Sequence, residues 1–276
     1  MAPHFIGRWR TGRDVKLARA MINTIPILLY HSVPDDFAQA TDRLSVSADL
    51  FVEHMQAVVE SQRVPVTIGE IGAALRGECK LPERAVAITF DDGYENTRQA
   101  VKYVTERQLR ATVYVTTGQV GSDSMISSEQ LLALAAQTDT VELGAHSVTH
   151  PHLDELSVEG IEKEVRTSKV SLEKLLHRPV ETFAYPFGSY DRRVREAVIR
   201  AGFSSAVAVK NALSHSEDDP WAIARWTVRR STPPQQIALV LAGAGARRAW
   251  DRERLRTRGY RGARRLTRRF RITVGE

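Results

Sequence analysis

The sequence contains one cysteine, Cys79, among 276 residues, and it has no long uninterrupted apolar run. A single cysteine excludes a disulfide within the chain, and with it a small secreted module held together by disulfides. A membrane-spanning helix needs about 18 or more consecutive apolar residues, and no such run is present. The early basic residues are followed by a segment that Asn23, Thr24 and Pro26 interrupt, which does not resemble a signal peptide. We therefore expect a cytoplasmic location, with export left open.

Positive charge is concentrated at the C-terminal end of the sequence. Residues 245–276 hold twelve arginines against three acids, whereas the other 244 residues have a formal charge of −3. A basic segment interleaved with apolar residues is typical of helices that lie on anionic membrane surfaces. We expect an Arg-rich C-terminal helix or tail that contacts such a surface, and a solvated or disordered tail is the alternative. Nucleic acid is not an expected partner, because only the tail would support it.

The first motif is a pair of carboxylates directly after a strand-like run. Ala85–Phe90 is short, apolar and rich in branched or aromatic residues, as buried strands are, and Asp91, Asp92 and Gly93 follow it. Adjacent acids are costly at a strand end unless a cation lies nearby. The same three residues are also ordinary turn chemistry, so the motif alone does not establish a site.

The second motif places two histidines after another apolar run. Val141–Ala145 precedes His146 and His150, which are four residues apart. This spacing is a weak signal by itself, because it arises readily by chance. Together with an aspartate of the first motif, however, it offers one carboxylate and two imidazoles. That set suits Zn²⁺ or a similar divalent ion with open positions for water and substrate.

Three motifs in this order resemble those of the NodB-homology polysaccharide deacetylases, carbohydrate esterase family 4. They are Thr-Phe-Asp-Asp-Gly at 89–93, His-Ser-Val-Thr-His at 146–150 and Phe-Ala-Tyr-Pro-Phe-Gly-Ser-Tyr-Asp at 183–191. The similarity covers roughly residues 25–240. The Ile-Leu-Leu-Tyr-His segment at 27–31 and the Tyr-Pro-Phe-Gly form of the third motif resemble the branch that includes poly-N-acetylglucosamine deacetylases.

Strand-like and helix-like segments alternate along the chain, which indicates parallel strands joined by crossover helices. This pattern does not separate an open sheet from a closed barrel. The resemblance implies a distorted (β/α) barrel with about seven parallel strands. We expect an N-terminal arm over residues 1–24, the deacetylase domain over 25–244 and the Arg-rich segment over 245–276. Catalytic groups belong at the carboxyl ends of the strands.

The resemblance also implies a reaction and the residues that perform it. It implies a metal-dependent hydrolase that removes acetyl groups from N-acetylated sugars of a polysaccharide or glycolipid. It assigns the metal, expected to be Zn²⁺ with Co²⁺, Ni²⁺ or Mn²⁺ as alternatives, to Asp92, His146 and His150. It makes Asp91 the general base and gives the backbone N–H of Phe187 a part in binding the oxyanion.

The sequence departs from the family pattern at two places. Ala184 stands where many relatives carry an arginine that orients the base, and Arg225 either replaces that arginine or forms a surface ion pair. No late Leu-x-His motif supplies the usual leaving-group acid. His31, at a predicted strand end, is the better candidate, as acid or as substrate contact, against a packed structural histidine. His215 is expected in a solvated loop and His54 on the surface.

Aromatic side chains that could stack on sugar rings complete the candidates. They are Tyr94, Tyr190, Trp221 and Trp226, although tryptophans such as Trp226 are more often core residues. Two other functions remain open: an O-acetyl esterase or non-sugar amidase on the same scaffold, and a carbohydrate-binding pseudoenzyme. The two departures favour a pseudoenzyme, whereas the intact aspartate and histidine motifs oppose it.

The tail generates a test that is independent of the reaction. Deleting residues 247–276 removes twelve arginines and no motif. Turnover of a small soluble oligosaccharide should stay nearly unchanged, while association with anionic vesicles should weaken by up to ~1 kcal/mol for each arginine that reaches the surface. The difference should shrink as salt rises, because screening acts over ~8 Å at physiological ionic strength. Equal vesicle co-sedimentation of both forms would contradict the membrane role.

Overall fold

The computed structural model describes residues 24–35 and 42–249, which form alternating strands and helices. The described strands are β1 (Thr24–Ile25), β2 (Ile27–Tyr30), β3 (Val64–Pro65), β4 (Ala85–Phe90), β5 (Ala111–Val115), β6 (Val141–Ala145), β7 (Thr182–Ala184), β8 (Ser205–Val209), β9 (Ala212–His215), β10 (Ile223–Thr227) and β11 (Arg247–Arg248). The described helices are α1 (Ala48–Glu60), α2 (Ile68–Leu75), α3 (Thr97–Glu106), α4 (Ser128–Ala135), α5 (Val158–Leu176), α6 (Arg192–Arg200) and α7 (Pro234–Leu241).

Seven parallel strands close into a barrel, which confirms the predicted fold class. The ring runs β2, β4, β5, β6, β7, β8, β10 and back to β2, and every neighbouring pair is parallel. Closure depends on β2, which pairs with β4 through Leu28 beside Ile88 and with β10 through Leu28 beside Trp226. Because all strands point the same way, their carboxyl ends meet at one mouth of the barrel.

Side chains alternate between the barrel interior and the surrounding helices, as strand geometry requires. On β4, Ala85 and Ala87 belong to the small interior core, whereas Val86, Ile88 and Phe90 belong to the larger core beneath the outer helices. Asp91 directly follows β4 and is an even number of residues from Ala85. Its side chain therefore points toward the barrel axis, as that of Ala85 does.

The opposite end of the barrel is covered by α2. Thr67 and Glu70 form a capping box at the start of this helix, in the spacing Thr-x-x-Glu. The Glu142 carboxylate of β6 also accepts hydrogen bonds from the backbone N–H groups of Ile68 and Gly69, at 3.1 and 3.0 Å. Ile68 and its neighbour Ile71 are fully buried against the interior core. This end of the barrel is thus occupied, which leaves the carboxyl-end mouth for a ligand.

A three-stranded sheet, ordered β1, β9, β11, adds a feature that the sequence reading missed. The expectation for His215 was wrong, because it lies in β9 with 4% of its surface exposed and its Nε2 is 2.8 Å from the carbonyl oxygen of Ala249. Residues Arg247 and Arg248 pair with β9 as a strand, although the Arg-rich helix or tail was predicted to begin before them. Its remainder, residues 250–276, lies outside the described residues, as do residues 1–23.

The expectation for His54 was also wrong, because this α1 side chain is completely buried. Its Nδ1 lies 3.2 Å from the hydroxyl of Tyr30 and its Nε2 lies 3.0 Å from the carbonyl oxygen of Thr232. Burial lowers the pKa of His54. A neutral ring that donates from Nε2 and accepts at Nδ1 satisfies both contacts, so His54 links α1 to the barrel wall.

No helix within residues 24–35 and 42–249 is long and apolar enough to cross a bilayer.

The pairing of residues 247–248 with β9 changes the design of the truncation experiment described above. The deletion should begin at residue 250, so that the three-stranded sheet stays intact.

Glu142 makes stability depend on pH in a way that one variant can test. Burial raises its pKa from an ordinary 4.5 to about 7, against the hydrogen bonds from Thr112 and α2 that favour the ionised form. The unfolded chain therefore ionises first, and this residue lowers stability as pH rises from about 4.5 to about 7. Metal-free wild type should lose about 2 kcal/mol more unfolding free energy than Glu142→Gln between pH 5 and pH 8. Urea unfolding of both proteins measures this, and parallel pH profiles would contradict it.

Candidate active site

Ionisable side chains from four strands meet at the carboxyl-end mouth. His31 follows β2, Asp91 and Asp92 follow β4, His146 follows β6, and Arg225 lies within β10. The backbone holds these ends in register, because the N–H of Asp91 donates to the carbonyl of Tyr30 at 3.0 Å and that of His146 donates to the carbonyl of Val115 at 2.9 Å. The predicted convergence of motifs at strand ends is thus present in the tertiary structure.

Three of these side chains form a candidate metal centre. Asp92 Oδ1 lies 3.4 Å from both His146 Nε2 and His150 Nε2, and the two Nε2 atoms are 3.2 Å apart. An ion that holds nitrogen and oxygen ligands tetrahedrally at about 2.0–2.1 Å separates them by about 3.3–3.4 Å. The three atoms therefore have the spacing of one face of a tetrahedral site, and the residues fit a divalent ion such as Zn²⁺.

The hydrogen bonds around the centre also fit a cation. His146 Nδ1 lies 2.8 Å from the carbonyl of Ala184, so this nitrogen carries the proton and Nε2 presents its lone pair to Asp92. Asp92 Oδ1 is buried and has no hydrogen-bond partner among the described residues. An arrangement of acceptor atoms that face one another is unfavourable unless a cation or proton lies between them.

The electrostatic environment shifts the pKa values of the two histidines in opposite directions. Burial together with the neighbouring His146 lowers the pKa of His150 to about 4, so this ring is neutral at pH 7. For His146, burial lowers the pKa, but the Asp91 and Asp92 carboxylates outweigh burial and raise it. For Asp92, burial raises the pKa, and contacts with His146 outweigh it and leave the pKa well below its ordinary value. Asp92 is therefore ionised, as a metal ligand must be.

Beside the metal centre lies a buried ion pair between Asp91 and Arg225. Arg225 Nη1 and Nη2 donate to the two Asp91 carboxylate oxygens at 2.6 and 2.7 Å, and both side chains are at most 3% exposed. The alternative of a surface ion pair for Arg225 is therefore wrong. Burial raises the pKa of Asp91, but the Arg225 charge outweighs burial and lowers it. The arginine thus keeps the Asp91 carboxylate ionised and fixes its orientation.

His31 lies at the same mouth, next to the ion pair. Its Nδ1 is buried and has no hydrogen-bond partner among the described residues. Burial lowers the pKa of His31, and Asp91 and Asp92 oppose this by raising it. A packed structural histidine would satisfy both ring nitrogens. An imidazole with an unsatisfied nitrogen beside carboxylates is instead available to a ligand.

The third motif forms one rim of the mouth through an exposed aromatic ring. Phe187 is 56% exposed, and its ring stacks on His152 with centroids 3.9 Å apart. It also packs edge-to-face with His150, with ring centroids 4.5 Å apart. Tyr190 stacks on the buried ring of Tyr185 at 4.6 Å, so it packs against the core more than it offers a free face.

The other aromatic candidates divide between core and mouth. Trp226 is 7% exposed and belongs to the core, and Trp221 is partly buried against the same core with its Nε1–H donating to the carbonyl of Phe203. Tyr94 is half-buried near Asp92, and burial together with that carboxylate raises the pKa of its hydroxyl. Tyr94 thus lies close enough to Asp92 to be at the mouth.

Four residues of the site have left-handed backbone conformations that non-glycine residues rarely adopt. They are Asp92, Ser147, His150 and Phe187, with φ of 74°, 63°, 59° and 57°. Each such residue costs of order 1–3 kcal/mol and persists only when its surroundings hold it. Of the nine non-glycine residues with positive φ in the described part of the chain, four thus lie in the three motifs.

The chain is similar in sequence to known polysaccharide deacetylases. Residues 79–206 match the family model described as polysaccharide deacetylase. A Bacillus subtilis protein named provisionally as a polysaccharide deacetylase, YxkH, is 25% identical over 202 residues, which cover 73% of this chain and 70% of that protein. The poly-beta-1,6-N-acetyl-D-glucosamine N-deacetylase of Escherichia coli is 36% identical over 74 residues, or 27% of this chain and 11% of that protein.

Among solved structures, the fold resembles that of the Streptococcus pyogenes deacetylase PplD, which was solved in complex with acetate. The TM-score is 0.71 at 23% identity, and the match covers 78% of this chain and 96% of that chain. At this identity the likeness establishes the closed barrel of seven strands and not the substrate.

The candidate metal centre predicts different outcomes for its two adjacent aspartates. Asp92→Ala, His146→Ala and His150→Ala should each lose most of the bound metal, because each removes one of three ligands. Asp91→Asn should keep it, because Asp91 faces Arg225 instead. Metal analysis of the purified proteins after dialysis against Zn²⁺ measures this. Wild-type zinc content in His150→Ala would contradict the ligand set.

Proposed function

We propose that this chain, which carries a polysaccharide deacetylase domain of the NodB-homology type, is a metal-dependent hydrolase that removes acetyl groups from N-acetylated sugars of a polysaccharide or glycolipid. The observation that carries the proposal is the ligand triad with a buried, arginine-paired carboxylate directly beside it. Asp91 Oδ2 is 3.8 Å from His146 Nε2, so a base and a metal site share one small space. Amide hydrolysis needs a water-activating base and a charge-stabilising group at the same place.

Asp92, His146 and His150 would hold the metal, which when bound supplies Lewis acidity toward water and the acetyl carbonyl. We assign Zn²⁺ as the native ion, because two neutral imidazoles and one carboxylate are among its preferred ligands. Asp91 would accept the proton of the attacking water. Arg225 keeps that carboxylate ionised and leaves it a weak base, so the proton transfer depends on the acidity of the water.

His31 and Phe187 would act on the other parts of the reacting group. His31 has an unsatisfied ring nitrogen beside Asp91, and it would donate a proton to the leaving amine or hydrogen bond to the sugar. The backbone N–H of Phe187 would donate to the oxyanion, because the strained turn places this residue against His150. The exposed ring of Phe187 offers an apolar face to a sugar.

The rival functions differ in what they require of these residues. A carbohydrate-binding pseudoenzyme needs neither the ion pair nor the ligand triad, and both are complete here. An O-acetyl esterase would use the same base and metal, so only the substrate separates it from a deacetylase. The Escherichia coli relative is named for a poly-N-acetylglucosamine substrate, which favours an N-acetylated glycan.

The experiment is a measurement of acetate release from N-acetylglucosamine oligomers in β-1,6 and β-1,4 linkage, with an O-acetylated xylan oligomer in parallel. Chelator-treated protein should be inactive and should regain activity with one equivalent of Zn²⁺. Acetate from the N-acetylated oligomers alone supports the proposal. Acetate from the O-acetylated oligomer alone would establish the esterase, and metal binding without any acetate release would favour the pseudoenzyme.

Asp91 and His31 can be tested separately by kinetics. Asp91→Asn should retain metal and lose most of its turnover, because only the base is removed. His31→Ala should lower kcat by ~10²-fold if it donates the proton, and it should mainly raise KM if it only contacts substrate. Steady-state kinetics on the same oligomer distinguish the two. A His31→Ala enzyme with unchanged kcat and KM would remove His31 from the mechanism.

A further inference from the structure

The loop between the two histidine ligands is a short and strained segment. Ser147 and His150 both have left-handed backbone conformations, with φ of 63° and 59°. His146 is fixed independently, because it extends β6 and its Nδ1 is held by the carbonyl of Ala184. His150 has no such anchor in a strand. Its position depends on residues 147–149, which must be held by groups outside the loop.

One carboxylate, Glu164 of α5, binds this loop at three points. Its Oε2 accepts hydrogen bonds from the backbone N–H groups of Val148 and Thr149, at 2.8 and 2.9 Å. Its Oε1 accepts one from the Thr149 hydroxyl at 2.7 Å. Hydrogen bonds to an ionised acceptor are stronger and more directional than those between neutral groups. Glu164 is partly buried, and its bond to Val148 is partly buried too, whereas its two bonds to Thr149 are exposed.

The other side of the loop rests on the turn after β5. The backbone N–H groups of Thr117 and Gly118 donate to the carbonyls of Ser147 and Val148, at 3.1 and 2.9 Å. Gly118 permits this approach, since a Cβ there would lie 2.6 Å from the carbonyl oxygen of Val148. Two carbonyl groups of the loop thus bind the turn after β5, and two N–H groups of the same loop bind Glu164.

The remaining backbone N–H group of the loop is that of His150, and it donates to the Ser147 hydroxyl at 3.0 Å. Every backbone N–H from residue 148 to residue 150 therefore has a partner, and Glu164 supplies two of the three. It is the one charged group among these partners.

We propose that Glu164 is a positioning residue that holds His150 in the geometry that binds the metal. This inference rests on the metal centre of the proposed function and adds a residue to it. Glu164 contacts the loop and not the metal ligand, so it acts through the backbone that connects Val148 to His150. Partners that orient metal ligands typically change metal affinity by 10–100-fold when they are removed.

The test is the Zn²⁺ dissociation constant of chelator-treated protein, measured by competition with a chromophoric chelator. Glu164→Ala should weaken Zn²⁺ binding by ~10–100-fold. Glu164→Gln should retain part of the affinity, because its amide oxygen can still accept from the two backbone N–H groups. Glu162→Ala is the matched control, because it removes an exposed carboxylate of the same helix, which pairs with Arg200 at 3.1 Å. Its affinity should equal that of wild type.

A double-mutant cycle separates positioning from a general effect on the fold. In a His150→Ala background, Glu164→Ala should have little further effect on residual Zn²⁺ binding, because Glu164 acts through His150. A purely structural role would weaken binding equally in both backgrounds, which would overturn the inference. Thr149→Val removes the hydroxyl contact alone, and it should cause a smaller loss that does not add to that of Glu164→Ala.

Wild-type Zn²⁺ affinity in Glu164→Ala would also overturn the inference while leaving the proposed function intact. Failure of wild type itself to bind Zn²⁺ would overturn the metal centre and this inference with it. If Glu164→Ala does not fold, Glu164→Gln and Thr149→Val carry the test, and wild-type affinity in both would reject the role of Glu164.

Discussion

The barrel mouth holds two adjacent ionised carboxylates in a largely buried place, and the arrangement around them provides compensating positive charge. An isolated buried carboxylate is strongly unfavourable, and removing the partner from a buried ion pair typically costs about 3–5 kcal/mol. Asp91 is compensated by Arg225, with two hydrogen bonds and almost no solvent exposure. Asp92 Oδ1 has no hydrogen-bond partner among the described residues, and a cation held together with His146 and His150 would compensate its charge. The residues of this arrangement follow β4 and β6 or lie within β10.

The two aspartates acquire different roles because the backbone turns between them. Asp91 continues the alternation of β4 and therefore points into the barrel, toward Arg225. Asp92 has a left-handed conformation, which takes its side chain out of that alternation and toward His146 and His150. One residue thus becomes a carboxylate held by arginine and the next becomes part of the candidate metal centre. Neighbours in sequence have different surroundings because the left-handed φ of Asp92 separates the directions of their side chains.

The arginine that pairs with Asp91 shows that, in a closed barrel, different strands can supply a group to the same point. The third motif has Ala184 where an arginine was expected, yet a guanidinium reaches Asp91 from β10. In a closed barrel every strand interior faces the same axis, so a long side chain from several strands can reach one point. Ala184 still contributes to the site, because its carbonyl sets the tautomer of His146. A position without a functional side chain therefore has a functional backbone.

The sequence by itself determined the features that are local. Neighbouring residues alone indicated the apolar runs of β4 and β6, the capping box at Thr67, the strand ends that present the motifs and the resemblance to the deacetylases.

The tertiary structure decided what depends on distant residues. Arg225 faces the barrel interior because β10 begins at Ile223, two residues earlier, whose side chain belongs to the interior core. His215 is buried only because β9 pairs with β1 and β11, and His54 only because α1 packs beside Tyr30. Glu164 had no signal at all, because its partners lie 15 and 16 residues earlier and are backbone groups. Burial and backbone hydrogen bonding between distant segments are properties of the folded structure, whereas periodicity and motif spacing are properties of the linear sequence.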